Sequence, residues 1–252
     1  MEANEYQTMF LVEETHWWYT GLQDLVLRRV GREAANWPVP LEILDAGCGT
    51  GRLCQLLKPF GAVTACDIHP LAVTATKRRG VERVRQFDLG SDVLEQERFD
   101  LITLMDVLYH QNVTNEAAVL ANLHRALRKQ GLLILQVAAF NNLLGAHDQA
   151  VHTRRRYRRE EVVRLLEAAG FTVEFASYRL FPLFFPMFAW RRLRPGASPI
   201  AGTGTPKSDL NVTCSPFLNW ILNAYVRLEN RLLCGGLRLP VGTSVFVIAR
   251  KE

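Results

Sequence analysis

Gly47, Gly49 and Gly51 stand at alternate positions in the stretch Leu44-Asp45-Ala46-Gly47-Cys48-Gly49-Thr50-Gly51, after the apolar run 41–44 and before residues 52–58. Glycines so spaced let the backbone turn tightly and come close to a ligand, and a helix starting there turns its first N–H groups toward the same space. A dinucleotide-binding turn needs its third glycine one position later, where Arg52 stands, so the spacing argues against a nicotinamide or flavin dinucleotide. Asp67 ends the run Ala62-Val63-Thr64-Ala65-Cys66 about twenty residues after Gly47, the distance at which an acid on a second strand reaches a ribose diol. Asp88 ends a third run, Val84-Arg85-Gln86-Phe87, where a carboxylate can accept from the exocyclic amine of an adenine ring. For proton transfer the residue type to look for is histidine, whose pKa lies near working pH. His110 follows the fourth apolar run, 99–106, by one helical turn, and His147 and His152 lie beyond the fifth, 132–137; His16 is the remaining candidate. His110 and His152 are the two taken forward as bases.

Apolar runs of strand length alternate with stretches of helical period from residue 41 to 180: helix over 52–58, strand over 62–67, helix over 70–79, strand over 81–87, strand over 99–106, strand over 132–137, helix over 160–169 and strand over 171–178. That alternation predicts an α/β fold, with a parallel sheet covered by helices on both faces and a ligand at the carboxyl ends of the strands. Every acid and glycine singled out above lies at such an end. Before the sheet, residues 2–36 read as helical, with Leu22, Leu25, Val26 and Val30 on one stripe. Trp17, Trp18 and Tyr19 follow His16 directly; neighbours on a helix point about 100° apart, so the three rings cannot all face one core. With 252 residues and 48% hydrophobic content the chain can bury one large core, and no linker or repeat divides it. The five cysteines lack paired spacing and suggest neither a disulfide framework nor a zinc site, which fits a reducing cytoplasm. No signal sequence and no run of roughly 18 apolar residues is evident.

On its glycine loop, Asp67 and Asp88, in this order and spacing, the chain resembles the class I S-adenosylmethionine-dependent methyltransferases over roughly residues 41–180 plus the last strand. The resemblance implies a Rossmann-like sheet of order 3-2-1-4-5-7-6 with strand 7 antiparallel. It implies S-adenosyl-L-methionine as methyl donor, S-adenosyl-L-homocysteine as product, and no metal. Carried over residue by residue, it sets the backbone of Gly47, Cys48, Gly49 and Gly51 against the methionine part, with Asp45 ordering the loop. Asp67 with Ile68 then serves the ribose, Asp88 with Leu89 the adenine, and Met105 and Asp106 lie beside the reacting methyl group. In many relatives an aromatic stretch like His16-Trp17-Trp18 belongs to an N-terminal helix that closes over the cofactor, so residues 1–36 are expected to form a lid; a branch with a His-x-x-Arg-Arg-Tyr stretch places Tyr157 near the site mouth. His16, Trp17, Trp18, Tyr109 and Tyr157 are accordingly the candidate acceptor contacts. Methyltransferases of exocyclic nucleobase amines carry two prolines and an aromatic after strand 4. Met105-Asp106-Val107-Leu108 has none, which weakens that reading.

Strands 6 and 7, 171–178 and 244–250, are separated by roughly sixty residues, far more than a turn needs. Residues 181–243 should therefore cover something. The stretch 180–190 is apolar, carries Pro182 and Pro186, and is followed by Arg191, Arg192 and Arg194, a composition suited to an apolar substrate's pocket, to peripheral membrane contact through residues 180–194, or to packing on the core. Residues 195–208 are rich in Gly, Pro, Thr and Ser and read as flexible. Residues 217–233 read as an amphipathic helix, with Leu218, Ile221, Leu222, Tyr225, Leu228 and Leu232 on one face. The densest positive charge, 154–159, suits either a phosphate-binding patch or a loop paired with Glu160 and Glu161. A small or lipid-like acceptor is the expected partner. A net charge of +5 without a recognisable RNA-binding module speaks against nucleic acid. The alternatives are an RNA methyltransferase or a protein that binds the cofactor without turnover.

Overall fold

Consecutive residues of the central strands are apolar without alternation, and the architecture shows why. Ile43, Leu101, Leu132 and Ile134 pack on one face of the sheet with Leu22, Leu25, Val26, Cys54 and Leu57. Their chain neighbours Leu44, Ile102, Leu133 and Leu135 pack on the other with Leu120, Leu123, Val162 and Leu166. A strand buried on both faces has no polar side to show, as in parallel sheets flanked by helices.

The computed structural model describes residues 3–35, 37, 40–193 and 215–252. The chain forms α1 (Ala3–Val12), α2 (Trp17–Ala34), β1 (Leu41–Ala46), α3 (Arg52–Leu57), β2 (Gly61–Asp67), α4 (Pro70–Arg78), β3 (Val84–Gln86) and β4 (Phe99–Met105). It continues through α5 (Glu116–Ala126), β5 (Leu127–Ala138), α6 (Ala146–Ala150), α7 (Arg159–Ala168), β6 (Phe171–Arg179), α8 (Phe181–Leu193), α9 (Pro216–Cys234) and β7 (Ser244–Lys251). The seven strands lie in the order β3-β2-β1-β4-β5-β7-β6. Strand β7 is antiparallel to both β5 and β6, and the other pairs are parallel. The expected order and orientation are thus those observed.

Register does local work. Asp45 of β1 lies opposite Thr103 of β4, which brings the Thr103 hydroxyl to the Asp45 carboxylate at 2.7 Å. Strand β3 is shorter than expected, because Gly80 takes a left-handed φ of +73° and Val81 N–H donates back to Thr76, so residues 80–83 close α4 instead of extending the strand.

Two expectations for the insertion change. Pro186 does not break the stretch 181–193, which is one helix. Pro182 sits in its first turn, where a missing N–H costs nothing. Glu229 pins the start by accepting from the N–H groups of Leu180 (2.6 Å) and Phe181 (3.0 Å). The pairs Phe181–Phe185 and Phe184–Phe188, each four residues apart, stack along it at 5.2 and 5.6 Å. Helix α9 forms as expected but is rotated: it buries Val226, Glu229, Asn230 and Leu233, and leaves Leu218, Ile221, Leu228 and Leu232 exposed. The flexible-looking stretch 195–208 and Arg194 lie outside the described residues.

Candidate active site

At the carboxyl ends of β1, β2 and β4 lies a cavity of about 620 Å³, within the range of roughly 300–1,000 Å³ usual for small-molecule sites. The glycine loop forms its floor. Gly47 and Gly51 both take left-handed φ, +76° and +83°, and a Cβ on Gly47 would sit 2.2 Å from the Val107 side chain. Cys66 O accepts from the N–H groups of Gly47 (2.8 Å) and Cys48 (3.0 Å), tying the loop to β2. Asp45 accepts from Thr103 on one oxygen and from the Cys54 thiol of α3 (3.0 Å) on the other, so it fixes strand, loop and helix together, and burial raises its pKa.

Asp67 accepts from Gly49 N–H (3.0 Å) on Oδ2 and from His69 N–H (2.9 Å) on Oδ1. Each oxygen keeps a second lone pair for a hydroxyl, and Asp67, Ile68, Asp88 and Leu89 all line the cavity. Asp88 Oδ1 accepts from Gly90 N–H at 2.9 Å, and Oδ2 has no donor among the described residues. Gly47, Cys48, Gly49, Met105 and Asp106 line it as well; Gly51 does not. A Cβ on Gly51 would meet Thr76 at 2.7–2.8 Å, so this glycine serves the approach of α4 and not the ligand. A cavity that sets two carboxylates, Asp67 and Asp88, beside a glycine turn fits a ribonucleoside joined to an amino acid.

Histidine positions separate sharply. His110 lines the cavity, and burial, with His152 nearby, lowers its pKa to about 4. His147 and His16 also line it; His16 caps α2 by accepting from Trp18 N–H on Nδ1. His152 does not, its ring lying 6.3 Å from that of His110 and outside the lining. Asp106 is a perturbed acid at the site. Burial pushes its pKa up to about 6, against the hydrogen bond from Gln136 Nε2 (2.7 Å) and the charges of Arg179 and Arg156. Its backbone is left-handed at φ +59°, and among the described residues the side-chain hydrogen bond goes to Oδ2 and none to Oδ1. Gln136 in turn accepts from the fully buried Arg179.

Trp17, Trp18 and Tyr19 all reach the cavity from the first turn of α2, and Tyr109 reaches it from the end of β4. Tyr157 is a correction: its ring is wholly buried in the core and its hydroxyl donates to Leu108 O (3.1 Å) and Glu116 (3.0 Å), away from the cavity. The arginine run is likewise engaged internally. Arg154 and Arg155 pair with Glu116, Arg159 with Glu160, and Arg156 grips Asp148 with two bonds of 2.8 and 3.0 Å in the cavity wall.

Residues that spacing alone did not single out close the other side. Tyr6 stacks on His69 at 4.6 Å, Met9 lies over Gly49, and Glu13 accepts from the Thr50 hydroxyl. Arg79 fastens this helix by ion pairs to Glu13 (2.7 Å) and Glu14 (2.6 Å). The adjacent acids Glu13-Glu14 were a signal for a basic partner, but nothing local named Arg79. From the insertion, Leu183 and Met187 of α8 and Leu218 and Leu222 of α9 complete the wall with Leu180.

Sheet order, strand directions and a cavity at the strand ends define the Rossmann-like fold of class I methyltransferases. Residues 16–175 match the family described as a methyltransferase domain, and the chain belongs to that family. It is 30% identical over 123 residues to a ubiquinone biosynthesis O-methyltransferase of Bradyrhizobium sp. (strain ORS 278), covering 46% of this chain and 48% of that one. It is 30% identical over 135 residues to a malonyl-[acyl-carrier protein] O-methyltransferase of Pseudescherichia vulneris, covering 52% and 51%. The chain thus spans about half the length of these curated relatives. An S-adenosylmethionine-dependent methyltransferase from Mesorhizobium loti shares the fold, with a TM-score of 0.54 and 17% identity over 88% of this chain and 96% of that one.

Proposed function

We propose that the chain methylates an oxygen of a small, apolar or lipid-like acceptor. The observation that carries this is the division of the cavity: beyond the glycine loop, its floor holds Asp106, Tyr109 and His110, and its roof is Leu180, Leu183, Met187, Leu218 and Leu222. The two relatives named as O-methyltransferases support oxygen as the methylated atom. In this reading residues 1–36 are a lid, residues 181–243 a cap, and residues 180–194 a point of peripheral membrane contact.

Bound S-adenosylmethionine supplies a methyl group on a positively charged sulfur. Asp67 and Asp88 hold its ribose and adenine, while the loop backbone holds its amino-acid end. The protein's remaining task is to align the acceptor oxygen behind that carbon, keep water out and remove one proton. Asp106 takes the acceptor's proton on Oδ1 as the oxygen bonds to the methyl carbon and the carbon–sulfur bond breaks, its electron pair staying on sulfur in the departing neutral thioether; a carboxylate near pKa 6 is ionised at neutral pH yet basic enough to serve. His110, neutral above pH 4, orients the acceptor by hydrogen bonding. The pairing of the arginine run within the chain supports a small acceptor over RNA.

The test is turnover with methyl-labelled S-adenosylmethionine against pooled hydrophobic phenols and carboxylates, prenyl and phospholipid extracts, and total RNA. Label in the organic-soluble pools is expected. Label in RNA alone would reject the apolar-acceptor reading.

A further inference from the structure

Helix α9 lies in the structure with its amphipathic character inverted. At about 100° per residue, Phe217, Leu218, Trp220, Ile221, Leu228 and Leu232 fall within an arc of about 160°, a stripe roughly 22 Å long. All six are exposed, from 39% at Ile221 to 70% at Phe217. The opposite side, which a surface helix normally keeps polar and wet, is the buried one. Its orientation is fixed by polar contacts: Asn230 donates to Gly21 O (2.7 Å) and to Asp24 (2.9 Å), and Glu229 holds the start of α8. At the helix start, Asn219 accepts from Trp17 N–H at 2.8 Å and donates to Thr15 O at 3.0 Å, locking α9 to α2. Rolling the stripe inward would break all of these bonds.

The exposed charge of α8 and α9 has one sign. Helices α8 and α9 carry Arg191, Arg192, Arg227 and Arg231 and a single acid, Glu229, which is buried. Every charge the two helices show to solvent is therefore positive. An exposed stripe holding Phe and Trp and edged by arginines matches an anionic bilayer interface, where rings enter the headgroup region and each arginine meets phosphate. A second copy of the chain would bring the same positive edge against itself. The stripe also runs into the cavity wall, because Leu218 is both exposed and part of the lining, and Leu222 lies one turn further inside.

We propose that the outward stripe of α9, with its flanking arginines, is a docking face for an anionic lipid bilayer, seated so that an apolar acceptor passes along Leu218 and Leu222 into the cavity. The passage rests on the apolar-acceptor reading; the docking face does not.

The experiment is flotation of the full chain with phosphatidylcholine vesicles and with phosphatidylcholine vesicles containing phosphatidylglycerol, at low and high salt. Methyl transfer to detergent-dispersed acceptors is measured in parallel. The chain should float with the anionic vesicles at low salt and be released by high salt. The double substitution Trp220→Glu with Leu228→Glu should abolish flotation while melting temperature and S-adenosylmethionine binding stay unchanged. Arg227→Gln should lower partition about fivefold, and Arg231→Gln by a similar factor. Absence of the wild-type chain from the floated fraction, or equal flotation of the double variant, overturns the proposal. So does a concentration-dependent dimer that Leu228→Glu dissociates without any vesicle binding. Flotation without transfer to any apolar acceptor would retain the docking face and reject the acceptor reading; transfer in detergent without flotation would do the reverse.

Discussion

Asp106 combines features that a mere cofactor contact does not need: a left-handed backbone, an oxygen without a donor among the described residues, and burial that lifts its pKa to about 6. A carboxyl whose folded pKa exceeds its unfolded value of about 3.9 stabilises the fold below that value and loses the contribution as pH rises through about 6. The melting temperature of Asp106→Asn should therefore gain on wild type between pH 4 and pH 7. Its kcat should fall roughly 10²- to 10⁴-fold, with loss of the wild-type rise in kcat/KM through about pH 6. An unchanged pH profile in the variant would remove Asp106 as the base. For Asp67→Ala, calorimetry should show cofactor binding weakened by roughly 1–3 kcal/mol, the worth of a hydrogen bond to a charged group. Equal affinity would place the ribose elsewhere. Asp45, Asp67 and Asp88 could be singled out in the sequence because each stands within two residues of the end of β1, β2 or β3, in order after or within the glycine stretch. The Asp106–Gln136–Arg179 chain was not, because its members lie on three strands and meet only when β4, β5 and β6 are laid in one sheet.

Elements were legible where a local period exists and illegible where a partner decides. The helices 17–34 and 216–234 follow from apolar residues at helical spacing, yet the face α9 buries is set by Asn230 and Glu229, whose partners are about 50 to more than 200 residues away. The α2–α9 contact is close enough to test. A Cβ on Gly21 would lie 2.3 Å from Val226 Cγ1, so Gly21→Ala should destabilise by about 1–3 kcal/mol through overpacking. Val226→Ala in that background should restore most of the loss, giving a coupling energy that denaturant melts of the four proteins would show. If the two changes simply add, the helices do not meet as described. The α1 latch gives a second test: Arg79→Met leaves the buried Glu13 without its cation and should cost about 3–5 kcal/mol. A melt within 1 kcal/mol of wild type, by the same convention for buried pairs, would show that α1 is held by something else.

At the scale of the molecule, the alternation of strands and helices carried the helix-covered parallel sheet, while the strand order was implied by the family resemblance alone, and the structure reproduces it. The insertion between β6 and β7 was legible only as an excess of length. What it covers depends on α8 and α9 meeting the cavity from a direction no local signal encodes. That shared wall is also where cofactor binding and acceptor binding can be separated, since Leu222 lies in the roof, among the apolar residues of the insertion. The most direct measurement compares methyl transfer from labelled S-adenosylmethionine into organic-soluble acceptors by wild type and by Leu222→Trp at equal cofactor saturation. Filling the roof should lower transfer roughly ten- to a hundredfold, the rate equivalent of about 1–3 kcal/mol of overpacking, with cofactor affinity unchanged. Undiminished transfer by Leu222→Trp, or label found only in RNA, would contradict the account of this cavity as an apolar acceptor's methylation site.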